Sequence, residues 1–213
     1  MQTAPAEIIR EYGPFPGVEQ VHGLTFDGHN VWFASGNRLN VMDPANGNTI
    51  RTIEVPARAG TAFDGRHIFQ LAGDRIQKID AEIGRVLSTI PAPDGASGMA
   101  WSEGFLWVGQ YSARKIHQLD PKTGAILRSI ETNRYVTGVT WVDGELWHGS
   151  LQDDKSELCQ VDPGSGEELQ RLELPPGTMV SGLESDGADR FFCGGGKSGK
   201  VRVVRRPKRA KAA

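Results

Sequence analysis

Little in this 213-residue chain offers covalent or membrane-borne stability. Only two cysteines are present, Cys159 and Cys193, too few for a disulfide framework and without metal-ligand spacing. No apolar run approaches the roughly 18 residues that a membrane helix needs. The opening residues, MQTAPAEIIREYG, hold neither a basic leader nor an apolar stretch, so no secretion signal is expected. A reduced, cytoplasmic protein with no membrane partner is the resulting expectation. Strong charge is missing as well. The formal net charge is −2, which gives no general case for binding nucleic acid.

Glycine is abundant, at 27 residues, and 12 prolines accompany it. That composition predicts many turns and few long helices. Hydrophobic residues make up 38%, enough to build one globular core in a chain of this length.

The glycines also mark a repeat. GLTFDGHNVWFASG begins at Gly23, GTAFDGRHIFQLAG at Gly60, GMAWSEGFLWVGQ at Gly98, GVTWVDGELWHGS at Gly138 and GLESDGADRFFCGG at Gly182. Successive starts are 37, 38, 40 and 44 residues apart, close to the roughly 40–45 residues of a propeller blade. Each unit reads as four strands. A short apolar strand meets a turn such as Asp27-Gly28 or Asp143-Gly144, where glycine accepts positive φ. A second strand carries Trp32, Phe69, Trp107, Trp147 or Phe192. In the first four units a third strand runs into Asp43, Asp80, Asp120 or Asp162, which can bond the backbone of the next turn, and an amphipathic fourth strand follows. The tryptophans recur at equivalent places and are expected to fill the wedges between sheets.

The fifth unit lacks its fourth strand. VRVVRRP supplies the third, with Arg205 where an Asp would stand, and the chain then ends in basic residues. EIIREYGPFPGVEQVHG, near the start, aligns with TIRTIEVPARAG, a fourth strand plus its link to the next glycine. The expected fold is therefore all-β: a five-bladed β-propeller with four antiparallel strands per blade, the N-terminal strand completing blade five. Residues 1–206 form the single domain and 207–213 a basic C-terminal tail. From Lys200 onward there are seven basic residues and no acidic ones, against 17 basic and 26 acidic before it. That run is expected to be solvated.

The phrases GLTFDGHNVWFASG, GMAWSEGFLWVGQ and DPKTGAILRSI resemble blades of two propeller groups. One is the five-bladed glutamine cyclotransferase (glutaminyl-peptide cyclase) group. The other is the virginiamycin B lyase-like group, whose members have seven blades. The resemblance covers nearly the whole chain and implies architecture. In the cyclotransferase group a catalytic Glu directly precedes the glycine that opens the second blade; here that residue is Ala59, and its equivalents are His22, Ser97, Thr137 and Ser181. The lyase group is similar to a metal-dependent eliminase with a His base and Glu metal ligands, and no stretch of this chain matches those residues one by one.

Loops joining strand four to strand one, and strand two to strand three, share one face of a propeller and surround its channel mouth. Residues there include His22, Arg38, Arg75, Ser97, Tyr111, Arg114, Arg134, Tyr135, Thr137, Met179 and Ser181. Arginine and tyrosine suit an anionic or aromatic small molecule. Three positions break the repeat. Glu184 stands where other blades have Thr25, Ala62, Ala100 and Thr140; His22 opens blade one; His148 replaces Phe33, Gln70, Val108 and Cys193. CGGGKSGK, residues 193–200, lacks the phosphate-loop order and reads as a loop on the mouth. The expected function is binding of a small molecule or peptide end at the mouth of a monomer. Candidate chemistry is lyase- or cyclotransferase-like: His22 as base, Glu184 as its partner, a divalent metal between them as one option. Arg38, Arg75, Tyr111, Arg114, Tyr135 and His148 are the candidate ligand-binding residues. The alternative is a non-catalytic protein-interaction scaffold on the same face.

Overall fold

The computed structural model describes residues 1–208, and they form five sheets, each built on four antiparallel strands, set around one axis. Blade one comprises Leu24–Phe26, Val31–Ala34, Gly36–Met42 and Thr49–Ala57. Blade two comprises Thr61–Phe63, His67–Ala72, Arg75–Asp80 and Val86–Pro91. Blade three runs from Ala96–Ser102 through Phe105–Gln110 and Lys115–Leu119 to Ile126–Glu131. Blade four holds Val139–Val142, Glu145–Gln152, Lys155–Val161 and Glu168–Glu173. Blade five has Gly182–Ser185, Arg190–Gly194 and Val201–Arg205. No helix among the described residues is long and apolar enough to cross a membrane.

Two N-terminal strands precede the blades. Strand β2, Ile8–Tyr12, pairs antiparallel with Val201–Arg205 and supplies the missing fourth strand of blade five. This is the closure that the repeat predicts. Strand β1, Gln2–Pro5, was not foreseen. It adds a fifth strand to blade four, parallel to Glu168–Glu173, with Gln2 opposite Gln170. The chain therefore crosses the last blade boundary at its own start, and blade four gains cover for an otherwise open edge.

The core consists of wedges between neighbouring sheets. Phe15, Leu24, Phe33, Phe192 and Val203 join blades five and one. Trp147, Leu158, Leu183 and Phe191 join blades four and five. The repeated aromatics serve this packing, as expected: Trp32, Trp107 and Trp147 are buried, and Trp101 stacks on Phe69 while Trp141 stacks on Trp107. The repeated aspartates serve the turns. Asp43 accepts from Ala45 N, Asp80 from Glu82 N and Ile83 N, and Asp162 from Gly164 N and Ser165 N. Asp143-Gly144 and Glu103-Gly104 have φ of 51°/77° and 53°/85°, the double positive φ of a tight type I′ hairpin.

The basic run from Lys200 is not free in solvent. Lys200 and Arg202 pair with Glu11 at 2.9 and 2.7 Å, and Arg205 pairs with Glu7 at 2.7 Å, all across the β2 seam. Arg206 is buried and bonds Asp143 at 2.7 Å and Glu145 at 2.8 Å on blade four. The expectation of a solvated basic run is corrected for Lys200, Arg202 and Arg206, while Arg205 and its partner Glu7 remain exposed. Alternating cations on VRVVRR meet the acids of β2 and of the neighbouring hairpin. Residues 209–213, most of the expected tail, lie outside the described residues.

Candidate functional site

The five glycines that start the blades meet one another around the axis. A Cβ on Gly60 would lie 2.5 Å from Met99 N and 2.6 Å from Gly98 C. One on Gly138 would lie 2.5 Å from Leu183 N, and one on Gly182 would lie 2.9 Å from Gly23 Cα. Gly23 meets Ala59 and Gly60, and Gly98 meets Thr137 and Gly138. Each contact is to backbone, which cannot rotate away. The inner strands can approach this closely only because these residues lack side chains. This pinch divides the axis into two levels.

On the mouth side, the residues before the glycines come together. His22, Ala59, Ser97, Thr137 and Ser181 line one pocket of about 300 Å³, with Arg58, Ala96, Tyr111, Leu151, Met179 and Val180. Among the described residues Arg58 is the only fully charged side chain in this wall, and no carboxylate is part of it. Among the described residues Arg58 makes one long bond, 3.3 Å to Asn37 Oδ1, and no ion pair. His22 is half-buried, and its ring has no hydrogen-bond partner among the described residues. Burial, and then repulsion from Arg58, hold its pKa below the usual histidine value.

On the other side of the glycines lies the level of Thr25, Ala62, Ala100, Thr140 and Glu184. Thr25 Oγ1 donates to Glu184 Oε2 at 2.8 Å, Thr140 Oγ1 donates to Oε1 at 2.5 Å, and Ser185 N donates to Oε1 at 2.9 Å. Glu184 thus ties blade five to both neighbours, blades one and four. Desolvation raises its pKa to about 7, against the opposing effect of these three bonds. Glu184 is absent from the wall of the mouth pocket. No direct bond joins it to His22, and no group of three or more His, Cys, Asp or Glu side chains suited to a metal converges among the described residues.

The other candidates scatter. Tyr111 lines the pocket and stacks on Tyr135, with ring centroids 4.9 Å apart, and the Arg114 guanidinium covers Tyr135 at 4.6 Å. These three form one ladder at the rim. Arg38 is turned to Gly17 O at 2.8 Å, and exposed Arg75 lies 3.7 Å from Asp74 beside the outer strand of blade two. His148 is only 1% exposed and its Nδ1 donates to Gly149 O at 2.9 Å, so it belongs to the interior of blade four. Burial holds its pKa down. Arg134, on a mouth loop by sequence, instead joins Glu157, Glu168 and Arg171 in a mostly buried ion network. CGGGKSGK forms a short 3₁₀ turn, Gly196–Ser198, against Met179. The pocket residues that sequence reasoning did not single out are Arg58, Ala96, Leu151 and Val180. Arg58 sits one place before the blade-opening pair Ala59-Gly60, which is the signal that could have found it.

No protein-family profile matches the sequence, and no curated protein matches it. Solved structures do match in shape. The glutaminyl cyclase of Myxococcus xanthus superposes with a TM-score of 0.81 at 16% identity, covering 96% of this chain and 97% of that one. The Cps50 (Swd1) β-propeller domain from Myceliophteria thermophila gives 0.62 at 8% identity, covering 95% and 100%. The RRP9 WD40 repeats give 0.56 at 10% identity, covering 94% and 97%. At these identities the likeness establishes the propeller fold, and the cyclase matches it nearly end to end.

Proposed function

We propose that this protein is a ligand-binding propeller that holds a small molecule or the end of a peptide in its mouth pocket. The observation that carries this reading is the convergence of one residue from each of the five blades on a single concave wall, more apolar than polar. Binding, rather than cyclotransferase chemistry, is the reading we favour. Ala59 occupies the place where the cyclotransferase resemblance calls for a Glu, and no acid lines the wall among the described residues. Any proton transfer at this site would fall to His22, with the hydroxyls of Ser97 and Ser181 close by.

A ligand screen by thermal shift, with metabolites and divalent metals, tests the proposal. A ligand selective for the native state raises the melting temperature. That shift is expected to disappear in Ala59→Phe, which fills the pocket, while unliganded melting changes little. Persistence of the shift in Ala59→Phe would place binding elsewhere. The scaffold reading uses the same face, where Met179 stands 40% exposed. It takes the lead if only proteins, and no small ligand, are lost on filling the pocket.

A further inference from the structure

Resting on the mouth pocket as the ligand site, we propose that its occupant presents a carboxylate to Arg58 and that His22 takes up a proton as the ligand binds. The argument starts from charge. Arginines elsewhere at the rim and in blade four are already committed: Arg38 to Gly17 O, Arg114 to the Tyr135 ring, Arg134 to Glu157 and Glu168. Among the described residues Arg58 has only its long bond to Asn37 Oδ1, and the wall it belongs to contains no acid. An unpaired guanidinium beside a concave surface is a ready partner for a planar carboxylate, which it can grip with two parallel bonds.

The rest of the wall limits the ligand's body. Leu151, Val180, Met179, Ala96 and the Tyr111 ring provide the apolar surface of the same pocket. At about 300 Å³ the space suits a small aromatic or aliphatic acid, or the last residue of a peptide. Both sources share one chemistry, a carboxylate on a compact apolar body.

Proton uptake follows from the surroundings of His22. It shares this wall with Arg58, whose charge opposes protonation of the ring. On its other side, Glu19 and Gln20 share with it an adjoining groove next to Ser35 and Gly36. Thr137, Ser97 and Ser181, from blades four, three and five, bring no charge. An anion on Arg58 cancels the repulsion and adds an attraction, so the ring binds a proton more readily in the complex. By reciprocity the ligand then binds more tightly as pH falls.

The test uses four probes: benzoate, benzamide, and N-acetyl-Gly-Phe with a free or an amidated C-terminus. Binding is followed by calorimetry in two buffers of different ionisation enthalpy, and the His22 ring by NMR. One or both acids are expected to bind with proton uptake between the lowered pKa of free His22 and its higher value in the complex, to weaken by up to about tenfold per pH unit as pH rises through that window, and to exceed their amides by about tenfold or more. Benzoate alone points to a free acid, and the peptide acid alone to a peptide C-terminus. Arg58→Gln should abolish the preference for acid over amide. His22→Gln should keep that preference and flatten the pH dependence. Amides that bind as well as acids, or acid binding without proton uptake, would overturn this inference and leave the mouth pocket standing. If none of the four probes perturbs the His22 signals, the carboxylate inference falls, and the mouth-pocket reading is decided separately by the Ala59→Phe screen.

Discussion

At the scale of single residues, Glu184 shows how a departure from a repeat acquires a role in closing the ring. Its two oxygens take bonds from Thr25 and Thr140, on the blades to either side. The folded pKa of about 7 lies above the ordinary 4.5. Between these values the native state holds a proton that the unfolded chain has released. Stability from this group is therefore greatest below pH 4.5 and declines as pH rises toward 7. The loss is at most about 3 kcal/mol, and smaller to the extent that water reaches the part-buried carboxyl. Glu184→Gln keeps the shape and removes the charge. Its denaturation midpoint is expected to match the wild type near pH 4.5 and exceed it at pH 8, and chemical melts at the two pH values would check this. Equal midpoints at both would show that the carboxyl does not titrate as described. Arg206 gives a second case. It is 5% exposed and bonded to Asp143, Glu145 and Ala188 O. Arg206→Ala is expected to cost about 3 kcal/mol, whereas Arg205→Ala, whose partner Glu7 is well exposed, should cost under about 1 kcal/mol. Urea titration of both variants separates a docked cation from a solvated one.

At the scale of elements, the two N-terminal strands do different work. Strand β2 buries Tyr12 and completes a four-stranded blade. Removing residues 1–12 exposes the edge of Val201–Arg205 and leaves Lys200 and Arg202 without Glu11. Loss of soluble expression, or a fall of many degrees in melting temperature, is expected. Strand β1 only extends blade four, with three of its four residues exposed. Removing residues 1–5 should lower the melting temperature by only a few degrees, because blade four keeps its own four strands. Similar melting of the two truncations would mean that closure does not depend on β2. The repeat made β2 legible because EIIREY has the apolar-polar alternation of the other fourth strands. It could not show β1: QTAP has no such pattern, and its pairing partner lies about 170 residues away.

At the scale of the whole molecule, the glycine pinch sets the geometry of everything on the axis. Gly60→Ala and Gly138→Ala would each drive a methyl group into backbone at 2.5 Å. The inner strands can yield only by moving whole blades. A loss of about 3 kcal/mol or more is expected, measured by equilibrium unfolding. Alanine at Ala62 or Ala100, two residues further along equivalent strands, is native and buried without strain. A Gly60→Ala variant as stable as the wild type would show that the blades are not held at this distance.

The sequence by itself determined the number of blades, their four-strand order, the turn aspartates, the packing tryptophans and the strand that closes the ring. All of these depend on local φ preference and on periodicity, which a linear chain displays directly. It also placed His22, Tyr111, Met179, Ser97, Thr137 and Ser181 on the mouth loops, since position within a repeat fixes the face. Only the tertiary structure decided which of them share a wall, and that Arg58 joins them while Arg134 turns away to Glu157. It also set His22 and Glu184 on opposite sides of the glycines. The reason is physical. Repeat position gives height along a strand, but the space between blades is set by how closely five backbones can approach, and that distance is written in contacts between residues far apart in the chain.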